Sequence, residues 1–117
     1  VTFAMEKFRT VALFGSYLED FLDTLPAKIH DKVLQSIAAL EYLDMIPSSI
    51  LKHITGTKGL YELRVELGTD AVRVFCFFDM GRIIVLINGF RKKTQKTPRK
   101  EIDRALKLMK EYYESKK

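Results

Sequence analysis

Hydrophobic and polar positions change their period twice along the chain. Phe8 to Phe14 is a short, mostly apolar run ending at Gly15, which predicts a first strand. Ser16 then offers a helix cap, and Tyr17, Phe21, Leu22 and Leu25 recur at helical spacing. Pro26 closes that helix and can open the next, because its missing N–H is not needed in a first turn. Ile29, Val33, Ile37, Leu40 and Leu43 carry a second helix to about Met45, and Pro47, Ser48 and Ser49 break it. Lys52 to Gly59 reads as a polar connector.

From Leu60 the period becomes two. Tyr61, Leu63, Val65 and Leu67 point one way, while Glu62, Arg64 and Glu66 point the other. After a turn at Gly68-Thr69-Asp70, Val72, Val74, Cys76 and Phe78 share a face, with Arg73, Phe75 and Phe77 opposite. Asp79-Met80-Gly81-Arg82 predicts a tight turn, and Arg82 to Phe90 a last strand. These three strands form an antiparallel meander with one almost wholly apolar face, which the two N-terminal helices cover.

Strand register then relates the polar residues. With Met80-Gly81 as a two-residue loop, Asp79 pairs with Arg82, and counting back sets Arg73 opposite Asn88. An even first loop puts Arg64 on that same face. An odd one throws it among the apolar residues, where an unpaired guanidinium costs several kcal/mol. Arg64, Arg73, Asn88 and Phe90 are therefore expected to share the second face of the sheet.

Beyond the meander, Arg91 to Lys100 holds six cations and no acid. Thr97 can cap and Pro98 can start a helix whose buried stripe is Ile102, Ala105, Leu106, Met109 and Tyr112. The basic run thus joins the last strand to the last helix, with its cations beside Arg73. The expected fold is α+β, in the order β-α-α-β-β-β-α, with an antiparallel-dominated twisted sheet. Two N-terminal helices lie on one face, and a C-terminal helix follows.

Composition narrows the class. A length of 117 residues fits one domain spanning 1–117, with residues 1–7 as an irregular N-terminal extension. An apolar content of 47% with 30% charged residues is a globular balance and argues against disorder. The formal charge of +5 is legible as attraction to a polyanion. Cys76 is the single cysteine and sits in an apolar run, reading as a small buried hydrophobe rather than a nucleophile. His30 and His53 stand too far apart for zinc spacing, so no metal and no small-molecule cofactor are expected. No apolar stretch reaches transmembrane length, and Val1 to Lys7 lack the features of a secretion signal. The expectation is a cytoplasmic protein with no membrane partner.

Gly59-Leu60-Tyr61-Glu62-Leu63-Arg64, the strand arginine Arg73, the run from Asn88 through Arg91-Lys92-Lys93-Thr94-Gln95-Lys96-Thr97-Pro98, and the trailing Glu101 to Ala105 together resemble a known family. They are similar to the phage-derived, HigB-type branch of the RelE/ParE toxin superfamily, over about Phe8 to Tyr113. Asn88 departs from the histidine common at that place. The resemblance implies a RelE-like fold and a toxin of a type II toxin–antitoxin system. Its activity would be ribosome-dependent, metal-independent cleavage of messenger RNA by attack of a ribose 2′-OH on its own 3′ phosphate. It also implies a helix-turn-helix antitoxin, the ribosome and messenger RNA as partners.

On that reading Arg73 stabilises the phosphorane, since a guanidinium can grip two phosphate oxygens. Lys92 and Lys93 add charge, Arg64 orients the substrate or Arg73, and His53 is the imidazole near enough to titrate usefully. Lys52, Arg91, Lys96 and Arg99 bind RNA, and Phe90 offers a stacking face. Plainer readings stand beside these. Arg64 can be a structural arginine paired with Glu62 or Glu66, His53 a surface loop residue, Phe90 a core residue, and any one lysine of the run a solvated cation. At the level of the whole protein, the alternatives are a ParE-like binding toxin that inhibits a topoisomerase, and a non-enzymatic RNA- or ribosome-binding module.

Overall fold

Backbone pairing follows the alternating pattern closely. The computed structural model describes residues 6–117. Of the expected extension 1–7, residues 1–5 lie outside the described residues, and Glu6 and Lys7 belong to no helix or strand. The chain runs β1 (Thr10–Leu13), α1 (Tyr17–Leu22), α2 (Ala27–Tyr42), β2 (Leu51–His53), β3 (Tyr61–Leu67), β4 (Asp70–Asp79), β5 (Ile83–Arg91) and α3 (Arg99–Ser115). The strands form one sheet in the order β1-β5-β4-β3-β2. Only β1 runs parallel to its neighbour β5; the other pairings are antiparallel.

The polar connector therefore begins with a strand that its composition hid. β2 pairs with β3 through Leu51–Leu63, Lys52–Glu62 and His53–Tyr61. As an edge strand it needs only one buried side chain, Leu51, and its two polar residues stay in solvent. The second helix also stops earlier than expected. It ends at Tyr42, Leu43 is extended, and the Arg9 guanidinium caps the end by donating to the carbonyls of Leu43 (2.5 Å) and Asp44 (2.6 Å). Met45 is consequently exposed.

Two further expectations about caps are corrected. Ser16 occupies the N-cap of α1, but its hydroxyl donates to the Asp20 carboxylate rather than accepting from the helix backbone. Pro98 rather than Thr97 is the N-cap of α3, and Thr97 turns its hydroxyl to the Glu62 carboxylate.

Both sheet faces are covered. α1 and α2 bury Leu18, Leu22, Ile29, Val33 and Leu40 against Leu63, Val65, Val72, Val74, Cys76, Ile84 and Leu86. Burial pushes the Cys76 thiol up to about 12, so it is an inert core group. On the other face α3 packs Ile102, Ala105 and Leu108 against Phe75, Phe77, Val85 and Ile87. Leu106, Met109 and Tyr112 flank that contact half-buried, and Leu108, absent from the expected stripe, lies at its centre. α3 covers one end of this face only, and the other end carries the polar residues.

The register explains that division. Leu67 pairs with Asp70, leaving Gly68-Thr69 as a two-residue loop, and Gly68 takes φ +61°, which glycine adopts without strain. Arg64 consequently pairs with Arg73 on one face. The second turn differs from expectation: Asp79 pairs with Ile83, so Met80-Gly81-Arg82 form a three-residue loop. A β-bulge between Val74 and Cys76 sets two residues of β5, Ile87 and Asn88, against Phe75. Arg73 therefore faces Phe90 rather than Asn88.

Candidate active site

Three cross-strand rows build the polar end of the second face. Lys52 pairs with Glu62, and Glu62 with Phe75. In the next row Arg64, Arg73 and Phe90 lie side by side. Beyond them Glu66 pairs with Ala71, whose carbonyl accepts the backbone N–H of Lys92 at 2.8 Å. Period-two alternation thus aims Glu62, Arg64, Glu66, Arg73 and Lys92 the same way.

Arg73 is the most enclosed of these cations, at 3% exposure on the central strand. Its guanidinium donates to the Val72 carbonyl (3.2 Å) and to Glu66 Oε1 (3.3 Å). The Glu62 carboxylate stands 3.9 Å from the Nε atoms of both Arg64 and Arg73. Both Nε atoms are buried without a hydrogen-bond partner among the described residues. Glu62 is itself 5% exposed and accepts the Thr97 hydroxyl at 2.8 Å. Sequence reasoning treated Glu62 only as a pairing option for Arg64 and missed Thr97 as an anchor. The signal was present, since two arginines on adjacent strands of one face need a counter-charge.

Two adjoining clefts open over this floor. One, of about 440 Å³, is lined by Arg64, Glu66, Ala71, Arg73, Lys92, Lys93, Thr94 and Gln95. The other, of about 430 Å³, is lined by Lys52, His53, Glu62, Arg64, Lys92, Gln95, Lys96 and Thr97, with Ile54 and Ile102 as apolar walls. Arg64, Lys92 and Gln95 belong to both clefts. Lys92 is half-buried, whereas Lys93 and Lys96 are exposed. Burial, reinforced by the charges of Arg73, Arg64 and Lys52, holds the Lys92 ammonium below its ordinary range, against the opposing pull of Glu62.

The remaining candidates divide. His53 ends β2 at the rim of the second cleft, where Nε2 donates to the Thr57 carbonyl at 3.0 Å and the ring meets Tyr61 edge-on. That bond leaves Nδ1 as the free acceptor when the ring is neutral. Phe90 stacks on Phe75 with ring centroids 5.6 Å apart, half-buried against the α3 core. Arg91 pairs with Asp70 and lines a third cleft with Lys92 and Lys93. Arg99 pairs with Asp103 one helical turn away, at 2.9 Å in solvent. Asn88 is fully enclosed, and its amide has no partner among the described residues. No three His, Cys, Asp or Glu side chains converge as a metal site among the described residues. No helix among them is long and apolar enough to cross a membrane.

Comparison with known proteins bears on the family and the fold. The model of the family described as Phage derived protein Gp49-like (DUF891) matches residues 20–110. None of the curated proteins matches the chain. Among solved structures the chain is similar to the crystal structure of the archaeal RelE-RelB complex from Pyrococcus horikoshii OT3, at 20% identity with a TM-score of 0.50. That likeness covers 76% of this chain and 98% of the other, and it shows that the fold is RelE-like.

Proposed function

The chain belongs to the phage-derived Gp49-like family, and from that premise we propose that it is the toxin of a toxin–antitoxin pair and cuts messenger RNA on the ribosome. One observation carries the reading: Arg64, Arg73, Lys92 and Lys93 converge on a single open cleft above a rigid sheet. A cleft so lined suits a phosphodiester, and its arginine floor suits the extra negative charge of a pentacoordinate phosphorane.

In the proposed step the 2′ oxygen forms a bond to the adjacent phosphorus, and the bond from phosphorus to the 5′ oxygen breaks. Lys92 in its neutral form accepts the 2′-OH proton, for which its lowered basicity fits it. The Lys93 ammonium returns a proton to the departing 5′ oxygen. Products are a 2′,3′-cyclic phosphate and a free 5′ hydroxyl. Arg73 grips the equatorial oxygens, and Arg64 aligns the phosphate from the next strand. Lys52, Lys96 and His53 hold flanking nucleotides in the second cleft. An acidic segment of a partner antitoxin would cover the same cations and silence them.

Expression of the chain followed by mapping of messenger RNA ends in polysomes tests this. New ends inside coding sequences that vanish in Arg73→Ala are the expected result. Growth arrest with intact messenger RNA would overturn cleavage in favour of a binding toxin.

A further inference from the structure

Within the cationic floor one side chain carries the opposite sign and is nearly as buried as Arg73. We propose that Glu62 is a positioning residue for this site, aiming the two arginines and tying the basic loop to the sheet. The proposal rests on the reading of the cleft as a phosphoryl-transfer site.

Three observations converge on Glu62. Arg64 and Arg73 are direct cross-strand partners, so their guanidinium groups are held side by side, where like charges repel. Glu62 lies one row away on the same face, and its Oε1 is equidistant from both Nε atoms, at 3.9 Å. A single carboxylate therefore draws both side chains toward the same point, while the outer NH groups of Arg73 are steadied by the Val72 carbonyl and Glu66. Its other oxygen takes the Thr97 hydroxyl, the last loop residue before the α3 N-cap. That bond spans 35 residues and fixes where the cationic loop crosses the sheet. The surroundings also argue against Glu62 as the base: it sits beneath the cations, 5% exposed, with one oxygen already engaged.

Glu62 has an electrostatic part as well. Its charge opposes the depression of the Lys92 ammonium, against burial, Arg73, Arg64 and Lys52. Removing its charge while keeping its shape must lower Lys92 further, and the pH at which Lys92 can act as a base must fall with it.

Glu62→Gln keeps an acceptor for Thr97 and removes the charge, whereas Thr97→Val keeps the charge and removes the tether. Titration of 13C-labelled lysines by NMR in the full chain reads Lys92 without requiring activity. In Glu62→Gln the Lys92 titration is expected to move to lower pH, with cleavage falling about a hundredfold, as for loss of a preorganised donor. The pH–rate profile should shift the same way. In Thr97→Val the Lys92 titration is expected to stay, while the backbone order parameters of the loop from Gln95 to Thr97 fall. A folded Glu62→Gln protein with unchanged Lys92 titration and unchanged rate would overturn the proposal. If Glu62→Gln does not fold, unaltered loop order parameters in Thr97→Val overturn it instead. A wild-type chain that cuts no RNA sinks the cleavage reading alone, because both NMR arms still decide the role of Glu62.

Discussion

Arg64 and Arg73 face each other directly across β3 and β4, and both lie 3.9 Å from one buried carboxylate. Two guanidinium groups on adjacent strands of a hydrogen-bonded sheet cannot drift apart as two loop arginines can. In the proposed reaction they are therefore preorganised for the charge that builds on the phosphorane.

Arg73→Ala is accordingly expected to cut the cleavage rate by about a hundred- to a thousandfold, roughly 3–4 kcal/mol of barrier. It should also lower stability by about 1–3 kcal/mol, because Glu66 and the Val72 carbonyl each lose a donor. Arg73→Lys restores charge but not the planar fork, and should recover stability better than rate. Single-turnover cleavage and thermal melting measured side by side separate the two effects.

In the proposed step Lys92 sets the pH dependence. Burial first, then Arg73, holds its ammonium below the ordinary value of 10.5, so the neutral form accumulates at a lower pH than in free lysine. The cleavage rate should rise with pH through that lowered pKa, and Lys92→Met should flatten the limb. Stability has the same sign. The folded chain gives up this proton before the unfolded chain does, so stability rises as pH climbs from the folded pKa toward 10.5.

At the far end of β4 from Arg73 a second cluster has the same sign but acts in acid. Lys116, at 2.6 Å, and then Tyr112 hold the Asp79 carboxyl down at about 2. The contribution of this cluster is present above the ordinary carboxyl value of 3.8 and is lost as pH falls from there toward 2. Melting temperatures between pH 2 and 6 should show the loss in the wild type and a shallower slope in Asp79→Asn.

Outlying cations should behave as general phosphate contacts. Lys96 and Arg99 are exposed, and Arg99 is already paired with Asp103. Lys96→Ala should weaken RNA binding and reduce the salt slope by about 1, while the rate on bound RNA stays nearly constant. Arg99→Ala should do less, because Asp103 already offsets its charge. Binding isotherms at several salt concentrations distinguish both from Arg73→Ala.

The face shared by Arg64, Arg73 and Phe90 was legible in the sequence because side-chain alternation depends only on whether a register is even or odd. The expected turn at Met80-Gly81 is one residue short of the real loop, and the bulge at Ile87-Asn88 adds one more. The two departures have the same sign, so they move the partner of Arg73 from Asn88 to Phe90 while returning it to the same face. Pattern could not reveal the bulge, since Val85 and Ile87 continue an unbroken apolar run. β2 stayed hidden for a different reason, having only Leu51 to bury. The Asp79–Tyr112–Lys116 cluster and the Glu62–Thr97 bond join residues more than thirty positions apart, which no local spacing encodes.

The central place of β4 in the sheet has a consequence for how the protein opens and closes. β4 is paired along both edges and covered by α1 and α2 on one face and by α3 on part of the other, whereas Lys93 to Lys96 are exposed. Amide exchange should therefore be slowest in the doubly paired strand that carries Arg73 and fastest in the loop that lines the same cleft, with local opening free energies running from near the global value down to almost nothing. Half of the site is thus carried by the last part of the molecule to unfold and half by the first. On the proposed reading the loop is free to admit and release a strand of RNA while the arginine beneath keeps its aim.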